Sequence, residues 1–122
     1  MASVFSELVI DCENPERMCA FWCSVLDWKP QSTERGFWWA SATGEHTARP
    51  MLVFVPVPEK KTVKDRLHID VSPTGCDQPE ELERLLALGA TRADVGQSDK
   101  VSWVVLADIE GNEFCLLGRR VD

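Results

Sequence analysis

Residues 15–22, "PERMCAFW", and residues 79–86, "PEELERLL", align in order: Pro15 with Pro79, Glu16 with Glu80, Met18 with Leu82, Phe21 with Leu85 and Trp22 with Leu86. Proline suits the first turn of a helix, and an acid beside it favours the positive helix end. Asn14 is a good N-cap for the first segment, and Met18, Phe21, Trp22, Val25 and Leu26 recur at helical spacing, which predicts a helix over 15–26. The second helix runs through "DQPEELERLLALG", with Leu82, Leu85 and Leu86 on its apolar side, and closes at Gly89. Around each helix the chain carries the same succession of strands. "VFSELVI", a weak strand near Trp28–Ser32, "GFWWAS" and "PMLVFVPV" surround the first; "RLHIDV", "TRADV", "VSWVVLA" and "EFCLLG" surround the second. "DIEGN", rich in Asp, Gly and Asn, turns the last two strands into a hairpin.

A repeat of this kind fixes the architecture to two βαβββ modules. The expected class is α+β, a single domain over 1–122, with module one over about 1–58, a linker over about 59–65 within the Pro- and Lys-rich "PVPEKKTVKD", and module two over about 66–122. One helix covers one face of a module's sheet. Two such sheets are expected to curl around a shared cleft, where function is sought.

Charge narrows the partners. Thirteen basic against twenty acidic side chains give −7, which argues against nucleic acid and against an anionic membrane surface. No run approaches the roughly 18 apolar residues of a membrane helix. The opening "MASVFSELVIDCENP" lacks the basic and apolar regions of a secretory signal. The five cysteines, Cys12, Cys19, Cys23, Cys76 and Cys115, are odd in number and form no CxxC, so reduced thiols in the cytoplasm are expected. Cys19 and Cys23, four apart, share a helix face as small hydrophobes.

"RLHIDV" raises the functional question. If residues 66–71 are a strand, alternation puts His68 and Asp70 on one face and Leu67, Ile69 and Val71 on the other. His68 is then either a ligand-binding or basic group on the cleft floor, or a strand histidine satisfied by Asp70 or Glu7. Trp38 and Trp39 point opposite ways in their strand, so one of them, with Trp103, offers an aromatic wall to a planar or apolar molecule. Lys60, Lys61, Lys64 and Arg66 form the only dense basic cluster, read as a solvated linker or a steering patch for an anion. His46 lies in a polar turn and is given no role.

"VIDCENPERMCAFWCSVLDW", "VPVPEKKTVKDRLHIDV", "ERLLALGATR" and "SWVVLADIEGNEFCLL" together resemble the vicinal oxygen chelate superfamily of glyoxalases, bleomycin-resistance proteins and dioxygenases, and within it the short bacterial glyoxalase-like domain proteins. The resemblance implies a divalent metal held by four side chains, two from each module, that binds adjacent substrate oxygens as a Lewis acid. It puts His68 at the second-module histidine position, Glu7 where the first-module histidine usually stands, and Cys115 where a glutamate closes the set. Glu113 is two residues from that place. The fourth position falls in "PMLVFVPVP", which contains no Asp, Glu, His or Cys.

The expectation is therefore a small-molecule binding protein with a degenerate metal site, acting in sequestration or resistance. The alternative is a lyase or isomerase that uses a residual zinc site or acid–base chemistry by His68 and Glu7. The candidate ligand-lining set is Glu7, Trp39, Val53, Val55, His68, Asp70, Trp103 and Cys115, with Glu7, His68 and Cys115 as the weak zinc candidates. The resemblance also implies a homodimer.

Overall fold

Asn14 ends one strand and starts a helix. In the computed structural model, which describes residues 1–122, its side-chain oxygen accepts the Arg17 N–H at 3.1 Å, satisfying one of the helix's free donors. Strand β1 (Glu7–Cys12) precedes it and helix α1 (Pro15–Leu26) follows. The helix closes at Asp27, whose φ of 56° is left-handed, and the Trp28 N–H returns to the Cys23 carbonyl at 3.1 Å. Met18, Cys19, Phe21, Trp22 and Val25 are buried along one side of α1. Cys19 and Cys23 have their sulfurs 3.9 Å apart inside this core. That hydrogen bond, together with burial, pushes the Cys19 thiol far up and keeps it protonated.

After α1 come β2 (Lys29–Ser32), β3 (Trp38–Ser41) and β4 (Met51–Pro56), in spatial order β1-β4-β3-β2. The helix crossover lets β1 lie parallel to β4, with Glu7 opposite Met51 and Asp11 opposite Val55. These elements form one compact unit, Met1–Lys60.

The second unit, Lys61–Asp122, repeats the order and pairing. It holds β5 (Asp70–Val71), α2 (Gln78–Leu88), β6 (Thr91–Arg92), β7 (Val104–Ala107) and β8 (Glu113–Leu116), in spatial order β5-β8-β7-β6 with β5 parallel to β8. Gln78, at the start of α2, donates its side-chain amide to the Ser102 carbonyl at 2.9 Å and the Leu116 carbonyl at 3.2 Å. Glu81 is buried, and a two-point bridge to Arg84 (2.6 and 2.8 Å) satisfies it. Gly89 ends α2 at φ 117°, where an added Cβ would also meet Ile109 at 3.0 Å. The expected pair of βαβββ repeats is thus present, each helix on its predicted segment. No helix is long and apolar enough to cross a membrane.

Several strand boundaries differ from expectation, among them "TRADV", of which only Thr91 and Arg92 form a strand. The first strand is Glu7–Cys12 rather than 4–10, because its ladder runs against Met51–Pro56 and begins only there. "RLHIDV" contributes Asp70 and Val71 alone to a strand, so His68 lies outside the ladder. Its only partner is β8, and the first bond between them is Cys115 N–H to the Ile69 carbonyl at 3.0 Å. Trp103 likewise precedes β7, 42% exposed.

The "DIEGN" turn is held by one buried side chain. Asp108 Oδ1 accepts the Glu110 and Asn112 N–H groups at 2.9 and 3.0 Å, and Oδ2 accepts the Asn112 amide at 3.0 Å. Replacing Asp108 with Ala leaves these part-buried donors without their acceptor and is expected to cost about 1–2 kcal/mol. Asp108→Asn, which retains one acceptor oxygen, should cost less; urea unfolding of both variants checks the order.

Candidate functional site

Residues directly opposite one another in a sheet share a face, and Cys115 is opposite Asp70 on one side and Val105 on the other. Alternation sends Val71, Phe114, Leu106 and Leu116 to the other face, where all four are buried. His68, two residues before Asp70, turns its Nε2 to within 3.1 Å of Asp70 Oδ1. One ligating atom from each of His68, Asp70 and Cys115 lies within 4.8 Å of the others. The chain thus gathers an imidazole, a carboxylate and a thiol from two parallel strands and the segment leading into one of them. His68 and Asp70 are about half exposed, while Cys115 is buried.

Burial and the neighbouring Asp70 carboxylate, which accepts a hydrogen bond from the thiol, push Cys115 up; Lys64 opposes them weakly. The sulfur therefore keeps its proton, and a protonated thiol is neither nucleophile nor metal ligand until that proton leaves. Asp70 is the hub, with His68 Nε2 against it on one side and the Cys115 thiol donating to it on the other.

Glu113 lies on the same face two residues from Cys115, but its carboxylate is engaged. Oε1 receives Lys61 Nζ at 2.9 Å and Oε2 receives the Asp65 N–H at 3.1 Å. It is therefore no substitute ligand; it fastens the segment that leads to His68 onto β8. Lys61, read from the sequence as solvated or steering, is an internal cation with its side chain only 20% exposed. Burial alone would raise the Glu113 carboxyl, but the bonds from Lys61 and from the Asp65 N–H outweigh it and the net shift is downward. Burial and the Glu113 charge raise Asp65 beside it.

The remaining candidates lie in the first unit. Glu7, Val9 and Asp11 alternate along the exposed face of β1. Val53 and Val55 stand opposite Val9 and Asp11 and are half-buried. Trp39 stands opposite Val53 and is buried, and the His46 ring lies on it with centroids 4.0 Å apart. Sequence reasoning missed His46, because a turn-rich segment carries no periodicity to show where it folds. Trp103 belongs to the second unit, outside the strands.

A carboxylate with a lowered pKa contributes stability that is present above its unfolded value and lost as pH falls through the folded one. Glu113 should therefore add to stability at neutral pH and lose that contribution only as the pH falls below the ordinary carboxylate range. Glu113→Gln is expected to lose about 2 kcal/mol at pH 7 and much less at pH 3, as measured by urea unfolding at the two values.

The family model described as "Glyoxalase-like domain" matches residues 7–117. No curated protein matches the sequence. Among solved structures, the genomically encoded fosfomycin resistance protein FosX from Listeria monocytogenes superposes with a TM-score of 0.72 at 14% identity, covering 98% of this chain and 93% of that one. A glyoxalase/bleomycin resistance/dioxygenase family enzyme from Burkholderia phytofirmans PsJN gives 0.62 at 22% identity, covering 93% and 97%. A variant of the Listeria protein complexed with Mn(II) and 1S,2S-dihydroxypropylphosphonic acid gives 0.69 at 12% identity, covering 96% and 90%. These likenesses establish the fold.

The donors test which ion the chain suits. Magnesium and manganese want oxygen ligands, whereas this site offers one nitrogen, one carboxylate and one sulfur, a mixture that suits zinc. β4, Met51–Pro56, adds no donor.

Proposed function

The chain belongs to the glyoxalase-like domain family, and we propose that it is a small-molecule binding member whose ligand contacts centre on His68, Asp70 and Cys115. The observation that carries this reading is the composition of the site. The polar trio is assembled within the second unit, with Asp70 and Cys115 paired across β5 and β8 and His68 just before β5. A ligand's polar end can accept from the exposed His68 imidazole or donate to the half-exposed Asp70 carboxylate. Sequestration or resistance is the matching role, and fosfomycin resistance proteins among the structural neighbours support that class without fixing the ligand. The same reading makes the protein a cytoplasmic homodimer, and five unpaired cysteines support a reducing compartment.

The three clustered donors favour a second reading, a lyase or isomerase with a residual zinc site. His68 Nε2, an Asp70 oxygen and Cys115 Sγ would hold the ion, leaving a position open. A zinc ion bound there supplies Lewis-acid polarisation of a substrate oxygen. The chain's own part is to give up the Cys115 proton and to keep the His68 ring turned toward Asp70.

Metal content of protein purified without chelator separates the two. Binding without metal predicts less than about one-tenth of a divalent ion per chain by mass spectrometry, in wild type and in His68→Ala alike. Near one zinc per chain, lost in both His68→Ala and Cys115→Ser, would overturn the first reading and establish the second.

A further inference from the structure

In the first unit, Val9, Val53, Trp39 and Gln31 form a row across β1, β4, β3 and β2, each opposite the next. Val9, at the edge of that row, is 49% exposed, yet Trp39 is only 7% exposed. The segment 42–50, between β3 and β4, accounts for part of the difference. Ser41 Oγ donates to the Glu45 carbonyl and accepts the Gly44 N–H, both at 2.9 Å, which curls the segment back toward its own sheet. His46 then lies on the Trp39 indole at a centroid separation of 4.0 Å, tilted by 51°. That separation is shorter than the usual 4.5–7 Å between paired aromatic rings, so the imidazole sits close on the indole.

We propose that Trp39 is a stacking platform for a planar aromatic ligand and that His46 is the ring occupying it until the ligand arrives. The His46 contact itself shows that an aromatic ring reaches the indole there. Val53 and Val9 continue the platform as apolar floor toward the sheet edge. Glu7 and Asp11 flank Val9 on the same face, both exposed, so the edge favours a ligand with positive charge. An aromatic cation satisfies all three features: a flat face for Trp39, apolar area for the valines and charge for the carboxylates. The site lies wholly within the first unit and holds whatever His68, Asp70 and Cys115 bind, with or without metal.

If His46 covers the platform, the ligand binds only the fraction of molecules in which the ring has swung away. Removing the ring removes that handicap, while removing the indole removes the platform. Proflavine, a planar cationic dye, is the probe, titrated by fluorescence, and NMR follows the two histidine rings.

The expected result is about tenfold tighter proflavine binding to His46→Ala than to wild type, with binding lost in Trp39→Leu and retained in Trp39→Phe. In the free wild type the His46 ring protons should be shifted upfield by the indole. They should move back on saturation with dye, while His68 stays put. Equal affinity of wild type and His46→Ala, or undiminished binding to Trp39→Leu, would overturn the proposal. So would a dye that binds and moves His68 but not His46. Trp39→Phe guards against reading a folding defect in Trp39→Leu as loss of the platform.

Discussion

Each unit depends on a parallel pairing of its first strand with its last. A helix crossover carries the chain from β1 to the far side of its sheet and back, and β4 closes against β1; α2, β5 and β8 repeat the arrangement. Parallel partners cannot be joined by a tight turn, so the pairing brings together residues far apart in sequence. Asp70 and Cys115 meet in this way. The chemistry of the trio is a consequence of that register. A slip of one residue would turn Cys115 to the buried face and bring Phe114 or Leu116 beside Asp70.

The register is reinforced from outside the ladder. β5 contributes only two residues, so backbone bonds alone hold it loosely. Lys61 and the Asp65 N–H grip Glu113 of β8 just upstream, in a setting where both side chains are mostly buried. Beyond β8, Val121 N–H bonds the Pro73 carbonyl at 3.1 Å, and Asp122 receives the Gly75 N–H at 2.9 Å while pairing with Arg120. The arginine and that N–H hold the Asp122 carboxyl down at about 2. The short strand is thus tied down on both flanks. His68 keeps its place because the segment before it is fastened, even though it makes no ladder bond itself.

The helices were legible because their signals are local: Asn14 and Pro15 at one start, Pro79 and acids at the other, and Gly89 at an end. The repeat of five elements was legible for the same reason, and the family resemblance carried the fold. The strand ends were not, since a ladder begins where the partner begins, and alternation within "RLHIDV" says nothing about β8. The trio was half legible. Asp70 was visible as a neighbour of His68, but its role as hub needs the register against Cys115. Lys61 looked like one more linker charge, and only the fold shows that it meets Glu113, 52 positions away. His46 was invisible, because no periodicity in segment 42–50 reveals the Ser41 turn that brings its ring onto Trp39.

The central claim is that Asp70 and Cys115 share one face of the second sheet with His68 turned onto Asp70 from just before β5, and NMR distance contacts in the unliganded protein test it most directly. The account predicts cross-peaks from the His68 ring protons to the Cys115 β-protons, and from the Asp70 β-protons to those same protons. Contacts from His68 or Asp70 to the Phe114 ring or the Leu116 methyls instead would show the register displaced by one and would contradict it.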